Sequence, residues 1–311
     1  MKNFYLPENT KYLTNNGLKC VSEFTEDDEI LTISNLGEIE YTKDFNIQVK
    51  QVGTMTLKTD GSYQGVMADC DIDFKDYGNY LKNENSSQTK INLDGEIYEI
   101  DKALAISISL FVSNFFKPVI KTDKITSLKE FKQKSFKVLS SVNLLTGLYF
   151  HYDKFTSNYT FSSSSFYKSP EVLEKILIEN ISIFDKIILC LKKIHYSTYK
   201  GVYFIEFKTY RLANIFSALL TLSGYKSKVV FNKDFKTFTV SYTNAEHQLN
   251  FKYNVEKSEH CFEDLTAYSV QFNKTCSIVI SQNINKLTTT SIVKASYNLL
   301  TYNEGDEDGF E

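Results

Sequence analysis

The charge of this chain changes sign twice along its length, and this division constrains the possible fold more than any other sequence feature. Residues 1–100 contain 18 acidic and 9 basic side chains, a net charge of −9. Residues 101–245 contain 10 acidic and 21 basic side chains, a net charge of +11, and residues 246–311 return to −5. A basic segment between two acidic ones predicts an insertion, residues 101–245, inside a host domain made of residues 1–100 and 246–290. Residues 291–311 are then a C-terminal extension that ends in an acidic, solvated tail.

Strand-forming runs separated by glycine turns fill the first hundred residues. Residues 11–14 and 18–21 flank Asn15-Asn16-Gly17, a sequence typical of a tight hairpin. The same form recurs around three further glycines, Gly37, Gly61 and Gly95. Because the pattern is again strand-like from residue 250, the host domain is predicted to be all-β.

The basic segment mixes helical and strand-like patterns. Residues 103–112 are apolar on most faces, which is typical of a buried helix. Ser169-Pro170-Glu171 predicts a helix start, because serine can cap the first turn and proline suits it. The helical pattern continues, as one helix or two, to about residue 194. Residues 161–166, a serine run between two phenylalanines, are predicted to be a linker.

The second half of the basic segment has a definite predicted order of elements. Residues 201–208 alternate as a strand does, and apolar residues between 212 and 222 have helical spacing. Gly224 follows where a helix C-cap belongs, and residues 225–231 and 236–242 form a predicted hairpin.

Several protein classes are excluded by the same sequence. The longest apolar stretches fall well short of the ~20 residues that a membrane helix needs, and the N-terminus lacks the apolar core of a secretory signal. Five scattered cysteines without a CxxC pair argue against a zinc ribbon or a disulfide framework and fit a reducing compartment. No Walker loop, dinucleotide fingerprint or Gly-x-Ser-x-Gly motif is present. We therefore expect no cofactor, no bound metal, no membrane contact and no small-molecule substrate.

Residues 5–42 resemble the start of an intein-type (HINT) splicing domain. Residues 5–10, the strand-like residues 11–14 and later residues 28–32 follow the spacing of that family. The resemblance implies that the splicing nucleophile would stand at Tyr5. A phenol is bulkier than a thiol or small hydroxyl and is not carried on the β-carbon, so it cannot perform the acyl shift.

The remaining HINT motifs are also altered. Residues 68–71 match the Thr-x-x-His motif, and Asp71 stands where the histidine is expected. A carboxylate cannot donate a proton to a departing amine at neutral pH without a large upward shift in its pKa. Residues 268–272 and 277–281 match the closing strand pair. The candidate terminal asparagines, Asn283 and Asn285, follow Gln282 and Ile284 instead of histidine.

The basic segment resembles a LAGLIDADG homing-endonuclease domain, which implies an αββαββ insert with two packed helices. Residues 109–115 and 188–194 match the two helix motifs, and residues 202–242 match the following strand, helix, turn and hairpin. Each motif helix in that family presents a carboxylate to Mg²⁺. Here Asn114 and Lys193 stand at those positions; an amide is a weak substitute and an ammonium repels the ion.

A run of lysines gives an alternative to a purely structural role. These residues are Lys117, Lys121, Lys124, Lys129, Lys132, Lys134 and Lys137. In the family that the segment resembles, the analogous region contributes to a DNA-binding saddle. These lysines are therefore predicted either to contact DNA phosphates or simply to form a solvent-exposed face. Arg211 is the only arginine, so bidentate recognition of guanine is nearly unavailable.

The sequence thus predicts an α+β chain, an all-β HINT-like domain split by a LAGLIDADG-like domain, whose reactive positions are vacated at Tyr5, Asp71, Asn114 and Lys193. We expect a non-enzymatic structural or protein-interaction module with other protein subunits as partners, in a phage virion or the host cytoplasm. A non-cleaving DNA-binding protein is the alternative. An active splicing element or homing endonuclease ranks third.

Overall fold

The computed structural model describes the two ends of the predicted host and the second half of the basic segment most fully. The described residues are 4–54, 56–57, 67–68, 74–75, 78, 80–81, 90–93, 96–99, 101, 105, 108–109, 119–120, 148–153, 158–163, 170–194, 198–199, 201–244, 261–284 and 287–297. Among these described residues, strands account for more of the chain than helices do. The fold is therefore α+β with strands predominating.

The elements of the described chain are as follows. The strands are β1 (Leu6–Pro7), β2 (Lys11–Thr14), β3 (Gly17–Cys20), β4 (Ile30–Ser34), β5 (Ile39–Thr42), β6 (Phe45–Thr54), β7 (Thr56–Leu57), β8 (Met67–Ala68), β9 (Phe74–Lys75), β10 (Lys90–Leu93), β11 (Glu96–Glu99), β12 (Val119–Ile120), β13 (Leu148–Asp153), β14 (Asn158–Ser163), β15 (Thr198–Tyr199), β16 (Val202–Phe207), β17 (Tyr225–Asn232), β18 (Thr237–Asn244), β19 (Cys261–Phe272), β20 (Cys276–Ile284), β21 (Leu287–Lys294) and β22 (Ser296–Tyr297). The helices are α1 (Pro170–Glu179), α2 (Phe184–Ile194) and α3 (Tyr210–Leu222), with 3-10 turns at Val21–Glu23 and Ile181–Ile183.

A large sheet of eleven strands organises the molecule. Its main order is β15-β16-β18-β17-β21-β20-β2-β4-β5, with β3 paired to β2 and β9 paired to β21. A smaller sheet is built on β19, which pairs with β6 along one edge and with β1 and β22 along the other. The β17–β21 ladder joins strands of the basic segment to strands of the predicted host.

The large sheet has a hydrophobic core on each face. Along β20, Val279 contributes to the core that α1, α2 and α3 cover, whereas Ile278 and Ile280 contribute to the core shared with the smaller sheet. This alternation follows from the two-residue period of a strand. The helix-side core contains Leu13 from the N-terminal hairpin together with Phe216 of α3, so one core spans both parts of the chain.

Helix α3 illustrates how local sequence sets an element. The Thr209 side chain accepts a hydrogen bond from the Leu212 backbone N–H, which caps the helix start. Gly224, just past the helix end, has a φ of +84°, a left-handed conformation that glycine adopts readily. Nearly the whole helix is buried, from Leu212 to Leu222.

Most of the sequence predictions of elements are confirmed. Hairpins form at the turns before Gly17 and at Gly37, and β10 pairs with β11, although Gly95 between them lies outside the described residues. The strand, helix and hairpin order of residues 202–242 is the predicted one. A helix begins at Pro170, and the pattern up to Ile194 divides into α1 and α2.

Two expectations about elements are wrong. Residues 161–163 are not a linker but the end of β14, because they pair with residues 148–150 of β13. Residues 268–272 and 277–281 are strands, β19 and β20, but they belong to different sheets and do not pair with each other. The division at residues 100 and 245 stays a prediction. Within the described part of the chain, no helix is long and apolar enough to cross a membrane.

Candidate functional site

The first candidate site surrounds Tyr5, the position that the HINT resemblance gives to the nucleophile. Leu6 pairs with Tyr268 and Gln48 pairs with Ser269, so Tyr5 and Gln48 lie on opposite sides of β19. The Tyr5 hydroxyl reaches across β19 and donates a hydrogen bond to Gln48 Oε1 at 3.1 Å. Lys50 Nζ lies 5.1 Å from the centroid of the Tyr5 ring. The half-buried ring therefore ties the N-terminal segment to the smaller sheet.

The second candidate site lies at the end of β20, where the HINT resemblance would place a histidine followed by an asparagine. Gln282 is buried, and its Nε2 donates to Thr10 Oγ1 at 2.8 Å. Asn283 is exposed and stands opposite Thr288 on β21. An amide such as that of Gln282 neither gives nor takes a proton near neutral pH, so this contact can position the chain but cannot assist asparagine cyclisation.

Gln282 belongs to a row of five polar side chains that crosses the large sheet. Ser241 stands opposite Lys228, Lys228 opposite Thr289, and Thr289 opposite Gln282, which bonds Thr10. Directly opposed residues of antiparallel strands project from the same face. The row therefore lies on the face away from α3, and none of its members is more than 3% exposed.

Two polar atoms on this face of the large sheet, Gln282 Oε1 and the Tyr12 hydroxyl, are buried without a hydrogen-bond partner in the described structure. Burial, with a smaller contribution from Cys20, raises the pKa of Tyr12 far above its ordinary value. Tyr12 therefore stays a neutral phenol and cannot act as a base at physiological pH. Both groups are enclosed within the protein, and neither supplies a nucleophile or a base.

The opposite face of the same strands carries a hydrogen-bonded polar seam against α3. The Ser217 hydroxyl lies 2.7 Å from the Ser227 hydroxyl on β17 and 3.2 Å from the Thr290 hydroxyl on β21. The Thr221 hydroxyl lies 2.6 Å from that of Thr290. All four side chains are buried, so the seam fixes α3 to the junction of β17 and β21.

The third candidate site is the pair of helices that the LAGLIDADG resemblance implies, and the structure describes only part of it. Asp101, Ala105, Ile108 and Ser109 are helical, and the Ser109 hydroxyl donates to the backbone carbonyl of Ile187 in α2 at 3.0 Å. Such a bond requires a close approach of the two helices. It joins the first residue of one stretch that resembles a LAGLIDADG helix, residues 109–115, to the residue just before the other, residues 188–194.

The end of α2 is anchored by Lys192 in a group of tyrosines. Lys192 Nζ lies 4.6 Å from the ring centroid of Tyr203 and 4.5 Å from that of Tyr225, and it donates to the Tyr225 hydroxyl at 3.0 Å. Burial first, then the charge of Asp185 and the neighbouring Tyr203, raise the pKa of Tyr225 to about 12. This anchor fixes the backbone that carries Lys193.

The remaining predicted site residues are placed as follows. Lys193 lies in α2 by its backbone, whereas its side chain is outside the described structure. Asp71 and Asn114 lie outside the described residues. So do the candidate DNA-binding lysines Lys117, Lys121, Lys124, Lys129, Lys132 and Lys134, together with Lys137. Of the four positions that the two resemblances single out, the structure therefore describes the side-chain surroundings of Tyr5 alone.

The described cysteines and acids form no metal site. Among the described residues, Cys20, Cys190 and Cys276 are not in disulfide bonds. Burial raises the pKa of Cys276 to about 11, so this thiol stays protonated and unreactive. Among the described residues, no group of three or more histidine, cysteine, aspartate or glutamate side chains could hold an ion.

Sequence reasoning missed the polar row and the polar seam. The seam had a signal, because Tyr210, Asn214, Ser217 and Thr221 recur at helical spacing on one side of α3. The polar row had no such signal. Its members come from four strands and a loop, and the order of those strands in the sheet cannot be predicted from local sequence.

Neither the comparison with protein-family models nor the search of curated proteins finds a match to this chain.

Proposed function

We propose that this chain is a catalytically inactive relative of an intein interrupted by a homing endonuclease, retained as a structural or protein-interaction module. Its setting in this proposal is a phage virion or its assembly in the host cytoplasm, with other protein subunits as partners.

Tyr5 carries the proposal. It stands at the position that splicing would need for a thiol or small hydroxyl, and its phenol instead spans β19 to Gln48. The side chain thus stabilises the sheet, which explains why a non-nucleophilic residue is retained there. Gln282, at the position expected for histidine, is likewise held in an internal hydrogen bond to Thr10.

The DNA-binding alternative draws less support from the described residues. A sheet that contacts DNA must present an accessible face, whereas the large sheet is covered by helices on one side. On its other side the row through Lys228 is buried. The lysine run on which the alternative depends lies outside the described structure.

Three measurements on the full chain test the proposal. Intact mass should give the unprocessed 35.8 kDa chain, since autoprocessing would require an active nucleophile. A gel-shift titration at low and moderate salt should show no retarded DNA; salt-sensitive retardation would favour the alternative. Isolation from the native source should recover the chain in fixed stoichiometry with other subunits.

Tyr5→Cys provides a sharper test of the vacated site. The variant should remain uncleaved under added thiol, because Asp71 still replaces the proton-donating histidine of the resembled motif. Tyr5→Phe is the matched control, since it removes the hydrogen bond to Gln48 without adding a nucleophile. A thiol-dependent fragment from Tyr5→Cys, absent from Tyr5→Phe, would overturn the proposal of a non-enzymatic chain.

A further inference from the structure

The hairpin tip between β17 and β18, residues 231–236, presents aromatic rings to solvent. Phe235 is 72% exposed and Phe231 is 44% exposed, and the flanking Lys233 and Lys236 are exposed as well. Exposed phenylalanines are costly to leave in water, and aromatic side chains are common anchors of protein interfaces. Asp234 is the only acidic side chain in this tip.

The tip is held in a defined shape. Asn232 Oδ1 accepts hydrogen bonds from the backbone N–H groups of Asp234 and Phe235, at 3.1 and 3.5 Å. Lys236 has a φ of +51°, a left-handed conformation that a non-glycine residue adopts at a cost. The Phe231 ring lies 5.0 Å from that of Phe238, which links the tip to the sheet. A fixed aromatic tip loses little conformational freedom on binding.

A surface of complementary character lies on the predicted host part of the same chain. It is formed by residues 23–27 and 44–45 and is called here the acidic surface. The rings of Phe24 and Phe45 are half-buried, with centroids 5.8 Å apart, and form an apolar floor. The exposed rim consists of Glu23, Glu26, Asp27 and Asp44. The adjacent Lys43 is basic, and its Nζ lies 4.0 Å from Asp27 Oδ1.

We infer that a second copy of this chain docks head to tail, with the aromatic tip of one copy seated on the acidic surface of the next. The two surfaces match in charge and in aromatic content. The tip joins β17 and β18 of the large sheet, whereas the acidic surface is formed by the turn and loop before β4 and by the start of β6, a strand of the smaller sheet. A heterologous contact of this kind leaves one free tip and one free acidic surface, so it continues into a ring or filament. The inference rests on the proposed structural role and names its partner.

Sedimentation velocity of the full chain tests this docking. The sedimentation coefficient of the wild type should rise with protein concentration and fall with added salt, because the lysine–carboxylate contacts are screened. Phe235→Ser should stay monomeric, and so should Glu26→Lys/Asp27→Lys. Val49→Ser is the matched control, because Val49 is 59% exposed on β6 outside both surfaces. This control should associate as the wild type does.

Mixing the two monomeric variants gives the decisive result. Phe235→Ser keeps an intact acidic surface and Glu26→Lys/Asp27→Lys keeps an intact tip, so their mixture should form a 1:1 dimer and nothing larger. A mixture that stays monomeric, or a wild type that is monomeric throughout, overturns the inference. A monomeric chain that is still recovered in stoichiometric complex with other subunits would refute self-association and leave the proposed function standing.

Discussion

At the residue scale, Gly17 meets two requirements at once. Its φ of +107° suits glycine, and a β-carbon there would collide with the carboxylate of Glu174 on α1. Glu174 is itself buried and paired with Arg211 on α3. Gly17→Ala should therefore lower the free energy of unfolding by about 2–4 kcal/mol, measured by urea titration.

Gly37 supplies the control for that substitution. Its φ is +84°, but a β-carbon would stand 3.6 Å from the nearest ring atom of Tyr80, an ordinary contact. Gly37→Ala should cost only the backbone strain, about 1–2 kcal/mol. Equal losses at the two glycines would show that the carboxylate of Glu174 moves aside without cost.

Asp28 gives a pH-dependent prediction. Its burial would raise the pKa of the carboxyl group, but hydrogen bonds from Lys19, Asn16 and Thr25 outweigh burial and lower the pKa to about 2. Because the pKa is lower in the folded chain than the ~3.9 of an unfolded one, the ionised group stabilises the fold above about pH 5. That stabilisation is lost as the pH falls towards 2.

Asp28→Asn should accordingly cost about 2 kcal/mol of unfolding free energy at pH 7. The difference from the wild type should shrink as urea titrations are repeated from pH 5 down to pH 2. Glu206→Gln is the control, since its side chain is exposed on β16 outside both docking surfaces, and its effect should be near zero. A difference for Asp28→Asn that does not change with pH would contradict the assigned hydrogen-bond network.

At the element scale, the polar seam determines how α3 is seated. Thr290→Val removes the hydroxyl that lies 2.6 Å from that of Thr221 and 3.2 Å from that of Ser217. We expect a loss of about 1–3 kcal/mol, because buried partners are left unsatisfied. Thr239→Val on β18, half-buried, should be close to neutral.

A double-mutant cycle isolates the seam from general packing. Thr290→Val combined with Ser217→Ala should show a coupling energy above about 0.5 kcal/mol, since the two hydroxyls share one network. Chemical denaturation of the four proteins supplies the measurement. Strict additivity would mean that the two hydroxyls stabilise α3 independently.

At the scale of the whole molecule, the β17–β21 ladder and the shared helix-side core predict cooperative unfolding. Lys228, Val229 and Val230 pair with residues of β21, so β17 cannot open without exposing that strand. Native-state hydrogen exchange should give the same opening free energy for the core amides of β17 and β20. Clearly different values would support an insert that unfolds on its own.

The sequence predicted elements best where the signal is local. Gly17, Pro170 and Gly224 each mark a turn or helix end by their own conformational limits, and each marks one in the structure. Residues 161–163 were mistaken for a linker because a serine run carries little strand signal. The ladder with β13 overrides that weak preference.

The sequence predicted the candidate site only as a set of residue positions, without the contacts that those residues make. Tyr5 was placed by a resemblance, but its bond to Gln48 depends on β1 and β6 flanking β19. The row through Lys228 and Gln282 depends in the same way on the order of four strands. Neither arrangement can be predicted from any short stretch of the sequence.

The sequence alone determined the α+β character, the hairpin turns and the limits of α3, because backbone conformation and amphipathic spacing act between near neighbours. Only the tertiary structure decided that strands of the basic segment and the N-terminal hairpin share one sheet and one core. Strand pairing between residues far apart in the chain depends on which apolar surfaces are buried against each other. Those contacts exist only in the folded molecule.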